Sequence, residues 1–257
     1  TATSLGTGQF GPFAHLAVGA FIYGVLRQRA FVAFALILLT MKPSLALPFV
    51  VFAASVPRLR LPLMLAALVS LGLAAPVLLG APLADLLGGY LSGLAQYASY
   101  PVNAPPSLTG LSNLVHAATG MEVSGLVYAA GAAAMGALVG VAATRAGGGP
   151  AATRAALFAL LGTTLFIVPL HLYDLSLATL TLVLTPWPWT GAAVAALNLA
   201  LVRVNMLAAA TGLVAAESRF HGSYLASLTL AVLCALAVVA LWLAGRRTDS
   251  RRTVRTG

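Results

Sequence analysis

One lysine stands in an apolar run, where an ammonium group is expensive to place. Lys42, the single lysine of the chain, lies in ILLTMKPSLALPFVVF, residues 37–52, and Pro43 follows it. A lysine at the centre of a bilayer costs about 2.5–3.5 kcal/mol, and such residues usually serve a function. A compact point charge suits an anion such as a phosphate. The alternative is a lysine that extends from a turn to the membrane surface.

A histidine and a carboxylate form a second candidate group. His171 and Asp174 in VPLHLYDLS are three residues apart, so they could share a helical face and orient each other for proton transfer. The alternative is that they are polar helix ends at the headgroups. Asp85 and Glu122 are the other candidate catalytic carboxylates, with solvated loop charge as the alternative for each. Arg203, in LNLALVRVNML, is a second cation within an apolar run and a candidate for the same anion as Lys42, with an arginine that extends to the nearby membrane surface as the alternative.

The composition requires that these residues be positioned by membrane helices. Hydrophobic residues make up 60% of the chain and charged residues 7%, with a mean hydropathy of +0.98. Soluble domains carry roughly 25% charged residues. The apolar runs are continuous rather than alternating, which excludes a transmembrane barrel and predicts an all-α, polytopic membrane protein. The single Cys234 permits no intrachain disulfide and no cysteine-based metal site.

The net charge of +9 is located at the ends of the apolar runs, which argues against nucleic acid as a partner. Arginines that flank membrane helices mark cytoplasmic loops. The last group forms a basic tail, residues 246–257, which we expect to be cytoplasmic and able to contact anionic lipid. The flanking arginines are Arg27, Arg29, Arg58, Arg60, Arg145, Arg154, Arg246, Arg247, Arg251, Arg252 and Arg255.

The apolar run 30–57 conflicts with these arginines if it crosses the membrane once. Its two ends carry arginine pairs that both belong on the cytoplasmic side, and the run is longer than the about 20 residues that a span needs. The conflict disappears if the run goes up and returns, turning at Met41, Lys42 and Pro43, because proline disfavours helix at the preceding residue. We therefore expect a short helical hairpin with Lys42 at its outer tip.

The same reasoning gives a path for the whole chain of about eight or nine membrane helices. Further apolar runs lie at 10–26, 61–80, 123–144, 155–170, 172–186, 190–208 and 224–244. An outside loop, residues 81–122, contains an amphipathic stretch at 83–100 that predicts an interfacial helix. Residues 1–245 are expected to form a single domain.

This path places most of the other ionisable side chains at one face of the membrane. It was built from the arginines and the run lengths alone, so the sorting is an independent observation. Gln9 and Lys42 lie on the same outer side, and His15 lies about two turns down the first helix. The sorted residues are Asp85, His116, Glu122, His171, Asp174, Glu217 and His221.

The first 55 residues resemble glycosyltransferase family 87, the polyprenol-phosphate-mannose-dependent mannosyltransferases. The resemblance rests on Gly8-Gln9 at the start of a membrane helix, basic residues after that helix, and Lys42-Pro43 some thirty residues later. The stretch VPLHLYDLS resembles a segment of the family with a histidine that faces the active site. Elsewhere the resemblance is limited to the helical pattern.

The resemblance implies a C-type glycosyltransferase bundle in the plasma membrane with an active site at its extracytoplasmic face. The donor would be a polyprenyl-phosphate sugar, with Lys42, Gln9 and Arg203 at its phosphate, and the acceptor a glycolipid or glycan. No cofactor is expected, and the role of a divalent metal stays open. The family's catalytic aspartate is expected upstream of Thr1, as in an N-terminally truncated member. Otherwise His171, Asp174, Asp85 or Glu122 has taken that role.

Two other classes of protein compete with the enzyme. A transporter could use the same outer polar residues as a gate, but the sequence shows no pair of matching halves. A membrane scaffold without chemistry gains nothing from a lysine at a helix break, and a non-catalytic membrane protein that binds lipid-linked sugar stays an alternative. The enzyme is therefore the preferred hypothesis.

Overall fold

The computed structural model describes residues 11–100, 103–184 and 219–256, and this part of the chain is helical, without a β-strand. The all-α prediction is therefore confirmed. Segments of 3-10 helix at Pro57–Leu59, Pro105–Ser107 and Leu172–Leu180 connect the α-helices. The α-helices are α1 Gly11–Leu26, α2 Ala30–Leu39, α3 Pro43–Ser55, α4 Arg60–Gly80, α5 Leu83–Ala98, α6 Leu111–Thr119, α7 Gly125–Arg145, α8 Pro150–Ile167, α9 Thr181–Leu184 and α10 Arg219–Thr256.

Four of these helices are long and apolar enough to cross a membrane. The segments are Pro57–Gly80, Gly125–Arg145, Pro150–Ile167 and Ala226–Arg246. The segment Pro57–Gly80 exposes most of its leucines, whereas most of Pro150–Ile167 is buried inside the bundle. In a membrane protein an exposed leucine surface of this kind is suited to lipid. The chain therefore has the composition and helix lengths of a membrane protein.

The apolar run 30–57 breaks where the sequence predicted. Helix α2 ends at Leu39 and α3 begins at Pro43, and Lys42 between them has a non-helical backbone with φ −132° and ψ 79°. Pro43 occupies the first turn of α3, where its missing N–H removes no helical hydrogen bond. The arms are 10 and 13 residues long, shorter than a full span.

The two arms run in opposite directions. Helices α1 and α2 form a tight hairpin, in which a Cβ on Gly24 would lie 2.6 Å from the backbone nitrogen of Val32. Helix α3 runs alongside α1 in the same direction, because Phe21 packs edge-on against both Phe49 and Phe52 while the starts of both helices contact the segment 172–180. Helix α2 therefore approaches the Lys42 tip and α3 leads away from it.

Helices α3 and α7 approach each other closely through glycines. A Cβ on Gly136 would lie 2.5 Å from the carbonyl oxygen of Pro48, and a Cβ on Gly140 would lie 2.6 Å from the Cβ of Ser55. Small residues of this kind let helix backbones touch in membranes. Because the contacts advance in the same order along both helices, α3 and α7 are parallel.

Helix α8 lies at the centre of the bundle and is packed against α10. Every residue from Ala152 to Leu165 except Arg154 is buried in this helix, thirteen residues in all. A Cβ on Gly162 would lie 2.9 Å from the Cβ of Ala237, which shows how closely α8 and α10 pack. Helix α10 continues to Thr256, so residues 246–256 of the predicted basic tail extend the last apolar helix.

The Arg58 contact and the Lys42 tip lie at opposite ends of the bundle. At one end, Arg58 donates a hydrogen bond to the Thr153 hydroxyl at 3.1 Å, which joins the end of α3 to the start of α8. At the other end, the backbone N–H of Thr109 donates to the carbonyl oxygen of Leu170 at 2.7 Å. The backbone N–H of Gly110 donates to the Ser227 hydroxyl at 2.8 Å, which attaches the same loop to α10.

Several expectations differ from the structure or fall outside it. The run 172–186, expected as a regular membrane helix, is 3-10 helix over Leu172–Leu180 and α-helical only over Thr181–Leu184. Hydroxyls such as that of Thr179, which bonds the carbonyl of Ser176, compete with regular α-helical geometry there. The sequence did not predict helix α6. The amphipathic stretch 83–100, which was predicted to be a helix, is helical over Leu83–Ala98. The run 190–208 lies outside the described residues.

Helix packing at Gly136 gives a testable prediction. Gly136→Ala should lower the unfolding temperature of the full chain in detergent, because the added Cβ forces α7 away from the Pro48 carbonyl at a cost of about 1–3 kcal/mol. Gly131→Ala is the matched control, because its Cβ would meet the Ile167 side chain at an ordinary 3.5 Å. That control should be neutral or stabilising, and equal effects of the two variants would contradict the packing.

Candidate functional site

The Lys42 ammonium is paired with a carboxylate from a distant part of the chain. Its Nζ lies 2.6 Å from Oδ1 of Asp174, 132 residues further along the sequence. The hairpin tip brings Lys42 to this position, because the helix break at residues 40–42 turns the side chain out of both helices. The pair therefore joins the α2–α3 tip to the segment that follows α8.

Asp174 is held by its own backbone as well as by Lys42. Its Oδ2 accepts a hydrogen bond from the His171 N–H at 3.1 Å, and its N–H donates to the His171 carbonyl at 2.9 Å. A side chain that returns to the N–H three residues earlier is half of a capping box, which fixes the start of a helix. Both carboxylate oxygens are therefore engaged, and the orientation of the carboxylate is fixed.

Burial of the two partners is unequal, and this decides what the pair can do. The Asp174 side chain is 1% exposed and the Lys42 side chain 24% exposed. A buried carboxylate requires a nearby cation, because removing it from water costs several kcal/mol. An ammonium has three donors, and one is directed at Asp174. Lys42 can therefore keep its internal partner and still present positive charge to an anion from outside the bundle.

His171 lies next to this pair and is disposed to be neutral. Burial lowers its pKa from the ordinary value of 6.5, the neighbouring Asp174 carboxylate raises it, and the Lys42 ammonium lowers it, with a net downward shift. A histidine with a lowered pKa is unprotonated at neutral pH and can accept a proton. Asp174 bonds the backbone of His171 in this turn, and the mutual orientation of the two side chains stays a prediction.

A second histidine approaches the same segment from α1. His15 Nδ1 lies 3.3 Å from the Ser176 hydroxyl, two residues beyond Asp174. The segment 171–176 is therefore contacted by both α1 and the α2–α3 tip. We use the name tip cluster for His15, Lys42, His171, Asp174 and Ser176.

The remaining candidates do not join the tip cluster. Asp85 on α5 and Glu122 before α7 are both exposed. Gln9 and Arg203, the two other residues expected at the donor phosphate, lie outside the described residues, as does Glu217. Among residues 11–100, 103–184 and 219–256, no group of three or more His, Cys, Asp or Glu side chains is arranged to hold a metal ion.

The sequence identified Lys42 and Asp174 as candidates but did not predict that they pair. Lys42 and Asp174 were singled out for different chemistry, although both were placed at the outer surface. The chain has five acidic residues, so an internal partner for the single lysine had few candidates. His15 and Ser176 carried no signal, because a polar residue in an apolar helix does not reveal which helix it faces.

Comparison with known proteins gave no relative. No protein-family model, no curated protein and no solved structure matches this chain.

The Lys42–Asp174 pair predicts strongly non-additive effects on stability. Lys42→Met should destabilise the fold by about 3–5 kcal/mol, because it leaves the buried Asp174 carboxylate without a cation. Adding Asp174→Asn should recover most of that loss, because no buried charge then remains. Thermal unfolding of the wild type, both single variants and the double variant measures the coupling. A double variant as unstable as the sum of the two single variants would contradict the pairing.

The lowered pKa of His171 predicts acid sensitivity. Between the unfolded pKa of about 6.5 and the lower folded pKa, the unfolded chain binds more protons, so stability falls as pH falls through this range. His171→Gln should reduce the dependence of the unfolding temperature on pH below about pH 6.5. His15→Gln is the matched control on the same cluster. An unchanged pH dependence in His171→Gln would contradict the assignment.

Proposed function

We propose that this protein is a membrane glycosyltransferase that uses a polyprenyl-phosphate sugar as donor. It would transfer a hexose, mannose in the family that the first 55 residues resemble, to a lipid or glycan acceptor. The observation that carries the proposal is the Lys42 ammonium, which lies at a helix break, is paired with a buried carboxylate and is still 24% exposed. A fixed cation at the end of an apolar bundle has the chemistry needed for a lipid phosphate.

The leaving group of such a reaction explains the value of a fixed ammonium. When the bond from the sugar to the phosphate breaks, negative charge develops on the phosphate oxygen. A donor already oriented toward that oxygen stabilises the charge without reorganising. The role of Asp174 is to position Lys42, since its Oδ1 lies 2.6 Å from Nζ and its Oδ2 is bound to the His171 N–H.

The acceptor hydroxyl must lose a proton in the same reaction. Within the tip cluster, His171 has the lowered pKa that keeps an imidazole able to accept one. Asp174 has both carboxylate oxygens engaged, so positioning suits it better than proton transfer. Asp85 and Glu122 are exposed and are the other carboxylates proposed for this step among the described residues.

The proposal includes an orientation in the plasma membrane. The tip cluster would lie at the extracytoplasmic face, because the loops with arginine lie at the opposite end of the bundle, where Arg58 contacts Thr153. The basic C-terminal end of α10 would then be cytoplasmic. The full path of about eight or nine crossings and the C-type glycosyltransferase architecture belong to the same proposal.

Sugar transfer by membranes that contain the protein tests this function. The Lys42→Met/Asp174→Asn double variant, which removes the ammonium without leaving a buried charge, should lose at least about tenfold in transfer from polyprenyl-phosphate mannose, or about 1.4 kcal/mol of barrier. Met41→Ala is the matched control, because Met41 is exposed on the same tip. It should retain transfer.

The outcome also separates the competing classes. A wild-type protein that binds the donor without releasing sugar would indicate a non-catalytic binding protein. Movement of intact donor across vesicle membranes would indicate a transporter. Full transfer by the folded double variant would overturn the role of Lys42.

A further inference from the structure

Helix α6 carries three buried polar atoms on one face. Within the described part of the chain, Ser112 Oγ, Asn113 Oδ1 and His116 Nδ1 are buried and have no hydrogen-bond partner. Ser112 is 2% exposed and Asn113 is 4% exposed. Residues three and four apart in a helix are neighbours on its surface, so these side chains lie together. We call them the α6 polar face.

The start of α6 is fixed by contacts that do not use the three unpartnered atoms. Both the N–H and the hydroxyl of Thr109 donate to the carbonyl oxygen of Leu170, at 2.7 and 2.9 Å. Gly110 has a positive φ of 87°, and a Cβ there would collide with the carbonyl oxygen of Phe166. Because Leu170 directly precedes His171, the start of α6 is attached to the tip cluster.

Hydrogen bonds fix the orientation of the Asn113 amide, and this limits which chemical groups can bind its Oδ1. Its Nδ2 donates to the carbonyl oxygens of Pro105 and Pro106 at 3.2 and 3.4 Å, so its Oδ1 is left as an acceptor. A group that binds Oδ1 must donate a proton, which excludes a phosphate or carboxylate. Ser112 can donate or accept, and a neutral imidazole presents one acceptor nitrogen.

Leaving such atoms unpaired is costly. Each buried polar group without a partner has lost its hydrogen bonds to water and gained none in the fold. Ser112 Oγ, Asn113 Oδ1 and His116 Nδ1 take no part in the attachment of α6, which runs through Thr109, Gly110 and the Asn113 Nδ2. Three buried polar atoms that lower stability and take no part in this attachment are suited to a ligand that supplies the missing hydrogen bonds.

We propose that Ser112, Asn113 and His116 bind hydroxyl groups of a neutral, polyhydroxylated ligand. Hydroxyls both donate and accept, so adjacent hydroxyls of a sugar or cyclitol ring match an amide oxygen, a hydroxyl and an imidazole nitrogen together. The identification of this ligand as the acceptor rests on the proposed glycosyl transfer. The proposal that the site binds hydroxyl groups does not depend on glycosyl transfer.

Binding of simple polyols to the purified full chain in lipid nanodiscs tests the site. Methyl α-mannoside and myo-inositol are the probes, and saturation-transfer NMR at increasing probe concentration gives the affinity. The wild type should bind one or both saturably. Ser112→Ala and His116→Phe should each weaken binding at least fivefold. Ser112→Ala should also leave the ligand-free unfolding temperature unchanged or raised, because it removes an unpaired buried hydroxyl.

Two controls make the outcomes distinct. Thr119→Ala removes a hydroxyl of the same helix that is already bonded to the Val115 carbonyl, and it should bind the probes as the wild type does. The Lys42→Met/Asp174→Asn variant should also bind them, because its defect lies in the tip cluster. Absence of saturable binding to the wild type, or unchanged affinity in Ser112→Ala and His116→Phe, would overturn the proposal. Polyol binding without any sugar transfer would leave this site standing and reject the proposed function.

Discussion

The ion pair between Lys42 and Asp174 is the interaction on which the arrangement of this bundle depends. A carboxylate that is 1% exposed requires a cation beside it, and that cation comes from the tip of a helical hairpin 132 residues away. The pair therefore fixes the depth of the α2–α3 tip relative to the segment after α8. Apolar residues in its place would serve stability equally well, so the pair is explained by the proposed function, in which the charge is used at the surface.

The close packing of α3 supports this geometry from behind. Gly136 and Gly140 allow the α7 backbone to contact α3, which carries the tip at its first residue. Phe21 of α1 also packs against α3, through Phe49 and Phe52. A helix held by two neighbours along its length has little freedom to withdraw the tip from Asp174. Preorganisation of the ammonium thus follows from apolar packing as much as from the charge pair.

The sequence predicted the helical class, most helix positions and the break before Pro43, because these depend on local composition and on proline chemistry. It did not predict the pairing of Lys42 with Asp174, the 3-10 segment Leu172–Leu180 or helix α6. These features depend on contacts between distant segments. The hydrogen bonds from Thr109 to Leu170, for example, place α6 against the tip cluster and leave no periodic signal in the sequence.

Direct binding of a lipid phosphate is the measurement that tests the proposed role of Lys42. Farnesyl phosphate and farnesol differ in the phosphate alone, and their affinities for the full chain in nanodiscs can be compared by titration calorimetry. The wild type should bind farnesyl phosphate at least tenfold more tightly than farnesol, and the Lys42→Met/Asp174→Asn variant should bind the two alike. Equal affinities in the wild type, or a preference for the phosphate that survives in the folded double variant, would contradict a phosphate site at the tip cluster.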